Sequence, residues 1–205
     1  VREVPNLLSI GRLLTTVPLV VLVLLDVPWA YLVALGLFVL GAVSDFLDGR
    51  LARRYKLVSH LGVFLDLTAD KVYVSALLIA LVQVSVLPAW LVVIIVSREF
   101  IVSGLRALAA SEGIVIPAGR WGKQKTAITM FGLAGLLLAK GLAAHAMFPW
   151  GASSSGLAFS IGNGAGYLLI VSDVIMLLAV IWTIFSAVEY LAGGWSLLRA
   201  RAPQS

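Results

Sequence analysis

The chain has 205 residues, of which 61% are hydrophobic and only 12% are Asp, Glu, Lys or Arg. A soluble domain carries about a quarter of its residues charged, so the polar side chains here are too few to cover a globule and most of the outer surface is expected to face lipid. Cysteine is absent, which excludes disulfides, thiolate metal sites and thiol nucleophiles. The formal charge of +5 is modest, so no nucleic-acid partner is expected. Nothing at the start resembles a cleaved secretory signal.

A membrane-crossing helix needs about 20 mostly apolar residues to traverse ~30 Å of hydrocarbon. Pro5-Asn6 opens a first apolar run, Leu7 to Leu25, which Asp26 and Pro28 end. A second starts at Trp29 and stays apolar to Val43, where it meets Ser44-Asp45. Beyond the basic stretch Arg50 to His60, a third covers Leu61 to Val84, and Pro88 opens a fourth that reaches Ala110. Ser111, Glu112, Gly113 and Pro117 mark a loop before a fifth run, Trp121 to Ala143. Pro149 to Ser155 is rich in Gly and Ser and reads as another loop. The sixth run, Gly162 to Leu191, is longer than one bilayer requires, which predicts tilt or protrusion. The expectation is an all-α integral membrane protein, residues 1–205 forming a single domain of six transmembrane helices.

Six spans place both termini on one side. Arg2, Arg12, Arg50, Arg53, Arg54, Lys56, Arg120, Lys123, Lys125, Arg199 and Arg201 all fall on that side, and only Lys140 lies near the other. The positive-inside rule therefore puts the termini and the basic connections in the cytoplasm, in a multi-pass protein of the cell membrane. Trp29, Trp90, Trp121, Trp150 and Trp195 fall near predicted span ends, as interfacial anchors do.

Four aspartates, Asp45, Asp48, Asp66 and Asp70, flank the connection between the second and third runs. At about 2.5–3.5 kcal/mol per charge at mid-bilayer, four unpaired carboxylates would cost about 10 kcal/mol, so they need partners. Asp45 and Asp48 are three residues apart and Asp66 and Asp70 four apart, so each pair shares a helical face. In an antiparallel hairpin turning near Lys56-Leu57, Asp48 and Asp66 each lie nine residues from residue 57, and Asp45 and Asp70 twelve and thirteen. The two pairs then sit at matching depth. Carboxylates at one level repel unless cations neutralise them, and oxygen-only ligands with no His or Cys nearby suit Mg²⁺ or Mn²⁺. Gly49, Ala52 and Gly62 open space beside the acids, and Arg53 is one turn from Gly49. Two ions, small walls and an arginine suit a pyrophosphate undergoing displacement. The alternatives are a hairpin salt-bridged through Arg50, Arg53 and Arg54, or protonated acids in a proton path.

Asp45-Phe46-Leu47-Asp48-Gly49-Arg50-Leu51-Ala52-Arg53, then eight residues, Gly62, three residues, Asp66, three residues and Asp70 resembles the full signature of the CDP-alcohol phosphotransferases. Members transfer a phosphate-bearing group from a CDP-linked donor to an alcohol and release CMP. The resemblance implies six spans and two divalent ions held by the four aspartates. It also implies Asp70 as base toward the acceptor hydroxyl, a CDP site lined by Gly49, Ala52, Arg53 and Gly62, and a homodimer. Gly162 and Gly166 form a small-xxx-small packing pair.

Further segments resemble the branch of the family that uses CDP-diacylglycerol and glycerol 3-phosphate. They are Pro5 to Arg12, Ala69-Asp70-Lys71, Ser97 to Arg106, Gly122 to Thr126 and Phe185 to Tyr190. Leu67-Thr68 departs from that branch, which has proline after the third aspartate. An acceptor that carries a phosphate needs cations beside the metals, and Arg98, Arg106, Lys123 and Lys125 are the candidates, arginine with a forked geometry suited to phosphate oxygens. Arg98 has a plainer alternative as the partner of an acid such as Glu99, and the two lysines as anchors snorkelling to head groups. Glu189 reads as a structural partner. Asp173, His60 and His145 have no motif to explain them. Phosphatidylglycerol or inositol phosphate as acceptor remains open, as does a cation transporter, although the acids cluster at one end of one hairpin with no matching cluster opposite.

Overall fold

The computed structural model describes the backbone of residues 4–55, 60–111, 113, 120–142 and 164–199, and the side chains of 10–44, 68–111, 113, 121–122, 124–142 and 166–191. The described elements are six α-helices: α1 (Val4–Leu24), α2 (Pro28–Tyr55), α3 (His60–Gln83), α4 (Ala89–Ser111), α5 (Arg120–Gly141) and α6 (Gly164–Arg199). The fold is all-α with six helices, as the apolar runs predict. The main difference is α2, which continues twelve residues past its apolar run, through Asp45 and Asp48 to Tyr55. Polarity ends a lipid-facing stripe but does not end a helix, and no proline interrupts this stretch.

Short turns carry strained backbone. Asp26 (φ 48°) ends α1 and Ser85 (φ 57°) lies between α3 and α4; both are polar residues that can tolerate the left-handed region. The Asp26 carboxylate accepts a 2.6 Å bond from the Tyr31 hydroxyl and lies 3.7 Å from Lys140 Nζ. That side chain fastens the α1–α2 turn to the end of α5.

The main packings among the described residues run α1–α3, α3–α4, α4–α6, α6–α5, α5–α2 and α2–α1. They close a ring in the order α1, α3, α4, α6, α5, α2. One end is filled by apolar side chains from every helix, including Leu19, Phe38, Leu77, Leu91, Leu136 and Met176. Toward the other end the buried side chains become polar: Arg12 on α1, Arg98 on α4, Lys125 on α5 and Ser186 on α6.

Tyr73 joins α3 to α2. Its ring stacks on Phe38 at 6.0 Å and its hydroxyl donates 2.9 Å to the Leu37 carbonyl. A Cβ on Gly41 would meet that hydroxyl at 2.8 Å.

The outer faces are apolar all round, with Leu14, Val17, Leu40, Ile79, Val93, Phe131 and Val188 each at least half exposed. Trp29, Trp90 and Trp121 are exposed near the first residues of α2, α4 and α5. Gly166–Leu191, 26 residues with mean hydropathy 2.6, is long and apolar enough to cross a membrane, and it is the one such segment among the described residues. Shorter apolar stretches are Ile10–Leu24 and Pro28–Ser44. Helix α6 has 36 residues, about 54 Å against ~30 Å of hydrocarbon.

Small residues set the closest approach, that of α5 to α6. A Cβ on Gly132 would stand 2.6 Å from Met176 Sδ, and one on Gly135 only 2.3 Å from Ser172 Oγ and 3.2 Å from its Cβ. Gly135→Val should therefore push the helices apart and cost about 1–3 kcal/mol, the usual scale of overpacking. Gly104→Ala, which meets nothing within 4 Å, should not destabilise and should gain up to about 1 kcal/mol from helix propensity. Thermal unfolding of both variants in detergent checks this, and an unshifted midpoint for Gly135→Val would contradict the close α5–α6 contact.

Candidate active site

The helix boundaries put Asp45 and Asp48 near the end of α2 and Asp66 and Asp70 in the first half of α3. The side chains of Asp45, Asp48 and Asp66, with those of Gly49, Ala52, Arg53, Gly62 and Lys123, lie outside the described residues. Asp70 is described, half-buried where α3, α4 and α5 converge. Among the described residues no cluster of three or more His, Cys, Asp or Glu is present, since Asp70 is the one member of the quartet whose side chain is described. The donor set nonetheless fits a hard divalent ion: four carboxylates, two on α2 and two on α3, with no softer ligand among them.

Asp70, Lys71, Ser75, Glu99, Lys125, Thr126 and Thr129 line one cleft, along with apolar side chains from the same three helices. Helix α3 brings Asp70 and Lys71, α4 brings Glu99 one position after Arg98, and α5 brings Lys125 and, one turn on, Thr129. The Thr129 hydroxyl is tied to the Lys125 carbonyl at 2.9 Å, the usual local bond of a threonine within a helix.

The charges in this region are mutually arranged. Lys125 is buried and its Nζ forms an ion pair with Glu99 Oε1. The same oxygen accepts from Arg98 Nη1 at 3.0 Å. Arg98, also buried, donates from Nη2 to Ser186 Oγ at 2.5 Å, and its guanidinium lies 5.5 Å from the centre of the Tyr190 ring. One carboxylate thus joins two cations, and the arginine continues the connection to α6. The Arg98 Nε remains buried with no hydrogen-bond partner among the described residues.

Of the cations expected near an acceptor, Arg98 and Lys125 come together through Glu99. Arg106 does not join them and is exposed. Eight residues advance a helix by two turns plus roughly 80°, enough to carry the second arginine off the buried face. Arg98 does pair with Glu99, its plainer alternative, yet that carboxylate is shared with a lysine at the cleft wall. Glu189 is exposed, and Asp173 has one buried carboxylate oxygen, Oδ1, with no hydrogen-bond partner among the described residues. His145 and Gly162 lie outside the described residues, as does the His60 side chain.

The sequence reading named Glu99 only as a partner for Arg98 and missed its bond to Lys125, the role of Ser186 and the threonines of the cleft. A signal was present: a carboxylate and a lysine, each within an apolar helix, have to find opposite charge. Which charge each finds depends on the order of helices around the ring.

Residues 2–185 match the CDP-alcohol phosphatidyltransferase family. The chain is 32% identical to a Bacillus subtilis (strain 168) protein over 96% of this chain and 97% of that one. It is 33% identical to a Pseudomonas fluorescens protein over 96% and 92%, and 32% identical to a Rickettsia bellii protein over 92% and 93%. The chain belongs to the CDP-alcohol phosphatidyltransferase family, whose members are generally membrane-associated and use divalent cations. All three relatives carry one name, CDP-diacylglycerol–glycerol-3-phosphate 3-phosphatidyltransferase.

Asp70→Asn keeps the shape of the side chain at the cleft and removes its charge. Turnover should fall at least a hundredfold, within the ~10²–10⁴ range for losing a general base, while the protein still inserts and purifies. Steady-state rates in detergent micelles at saturating Mg²⁺ measure it, and a rate within tenfold of the unmodified enzyme would remove Asp70 from the chemistry.

Proposed function

We propose that the chain is the enzyme that transfers the phosphatidyl group of CDP-diacylglycerol to glycerol 3-phosphate, giving phosphatidylglycerol phosphate and CMP. The carrying observation is the convergence of Asp70, Lys125 and the Arg98–Glu99 pair on one region. It is supported by relatives of that one name that match over more than nine-tenths of both chains.

Asp45, Asp48, Asp66 and Asp70 would hold the divalent ions, two in this reading, either Mg²⁺ or Mn²⁺. Bound there, the ions supply charge neutralisation at the pyrophosphate and at the leaving oxygen. Gly49, Ala52, Arg53 and Gly62 accommodate the CDP moiety. Arg98 and Lys125, with Arg106 and Lys123 nearer the water, attract the acceptor phosphate. The acceptor hydroxyl gives its proton to the Asp70 carboxylate. Its oxygen forms a bond to the phosphorus that bears diacylglycerol, and the bond from that phosphorus to the CMP oxygen breaks. Holding donor and acceptor in one cleft makes the attack effectively unimolecular.

Residues 1–205 form one domain in this reading, with all six helices crossing the bilayer. The exposed apolar faces on every helix support it, because only lipid solvates such a surface without cost. The active site and both termini face the cytoplasm, and the assembly is a homodimer, as the family resemblance suggests. The chain has no cysteine, so single cysteines at Ser59 and Ser154 give a topology test. An impermeant thiol reagent added to intact cells should label position 154 and not position 59. The reverse pattern would invert the orientation.

An acceptor panel with purified enzyme and CDP-diacylglycerol tests the substrate. Glycerol 3-phosphate should release CMP, and glycerol, which lacks the phosphate, should be a very poor acceptor. Preference for phosphatidylglycerol or inositol phosphate would overturn the acceptor. Losing a charged partner of a desolvated phosphate costs about 2–5 kcal/mol, so Arg98→Ala should lower kcat/KM for glycerol 3-phosphate at least tenfold with little effect on the donor KM. Arg98→Lys should rescue in part, lacking the fork. Equal loss toward both substrates would mark Arg98 as a structural partner of Glu99 and Ser186.

A further inference from the structure

The cleft contains an electrostatic hazard. Lys125 and Asp70 are opposite charges lining one cleft, which they share with Lys71, Glu99 and apolar side chains from three helices. Left to themselves, the ammonium and the carboxylate would pair. A lysine on Asp70 would compete with a divalent ion for the carboxylate and would block it from accepting a proton.

Helix α4 prevents that pairing by offering Lys125 another anion. Glu99 binds the Lys125 ammonium directly, from a helix adjoining the one that carries Asp70. Its other partner, Arg98, has independent anchors in Ser186 and the Tyr190 ring. Loss of the Glu99 charge would therefore leave Arg98 held by α6, and Lys125 would be the cation set free.

We infer that Glu99 is a positioning residue that holds Lys125 on the α4–α5 side of the cleft, off Asp70, so that one cleft keeps an acidic half for divalent ions and a basic half for the acceptor phosphate. This rests on the reading of Asp70 as a metal ligand given above. Glu99 lines the same cleft, and its carboxylate is engaged by Lys125 and Arg98. It acts by choosing which anion the lysine meets.

Mn²⁺ binding to the purified full-length protein in detergent, followed by the electron paramagnetic resonance signal of free Mn²⁺, reads this without turnover. Glu99→Gln should weaken Mn²⁺ binding at least fivefold, because the freed ammonium takes up Asp70. Glu99→Asp, which keeps the charge, should stay within twofold of the unmodified protein. Lys125→Met should bind Mn²⁺ at least as tightly as the unmodified protein, and Glu99→Gln added to Lys125→Met should change that affinity less than twofold. The double variant should still show a raised KM for glycerol 3-phosphate, so metal binding recovers while acceptor binding does not. A merely structural Glu99 would leave the double variant as weak toward Mn²⁺ as Glu99→Gln.

If Glu99→Gln alone fails to fold, the comparison within the Lys125→Met background decides, and a fivefold loss there overturns the inference. Unchanged Mn²⁺ affinity in Glu99→Gln also overturns it. Asp70→Asn separates the two levels. If that variant binds Mn²⁺ poorly while Glu99→Gln binds normally, the inference fails and the metal reading stands. If Asp70→Asn binds Mn²⁺ normally, both fall.

Discussion

Charge inside an apolar bundle has to be matched locally, and the polar end of this protein is organised by that requirement. Glu99 meets it for two cations at once, Arg98 beside it on α4 and Lys125 across on α5. Each unpaired charge at this depth would cost several kcal/mol, and removing one member of a buried pair typically costs more than the pair itself contributes. The contact is therefore weak evidence for extra stability. It links α4 to α5, and through Ser186 and Tyr190 it extends to α6.

The rest of the ring supports that linkage. At the opposite end, large apolar side chains from all six helices interlock, and glycines at 132 and 135 let α5 lie against α6 closely enough that a methyl group would collide. Tyr73 ties α3 to α2 through a stacked ring and a bond to a backbone carbonyl. Reactive groups carried on packed helices are held more tightly than groups on loops. The described groups of the cleft all sit on α3, α4 and α5.

The chemistry divides along the same lines as the packing. Helices α2 and α3 carry the four aspartates, which in the proposed reading hold cations and through them a pyrophosphate. Helices α4 and α5 carry Arg98 and Lys125, which in the same reading attract the phosphate of a small acceptor. Two substrates of like charge would then share one cleft, which Asp70 and Lys125 both line.

Much of this was legible in the chain alone. Apolar run lengths located all six helices, with α3 expected over 61–84 and found over 60–83, because a membrane-length apolar run leaves few alternatives to a helix. The aspartate spacing placed Asp45 and Asp48 on one helix and Asp66 and Asp70 on the next, since helical periodicity is a local property. The extension of α2 to Tyr55 was not read, because hydropathy reports what solvates a segment and not whether its backbone is helical. The ring order and the sharing of Glu99 were decided only in the tertiary structure. Lys125 lies 26 residues from Glu99, and Ser186 lies 88 from Arg98. Helices that are apolar on nearly every face carry little pattern to say which neighbour each will choose. The separation of buried Arg98 from exposed Arg106, two residues of one type on one helix, likewise depends on where α6 packs. Local pattern determines the helices and the inventory of charges; the partner of each charge is decided by packing, because it is set by distances between segments remote in the chain.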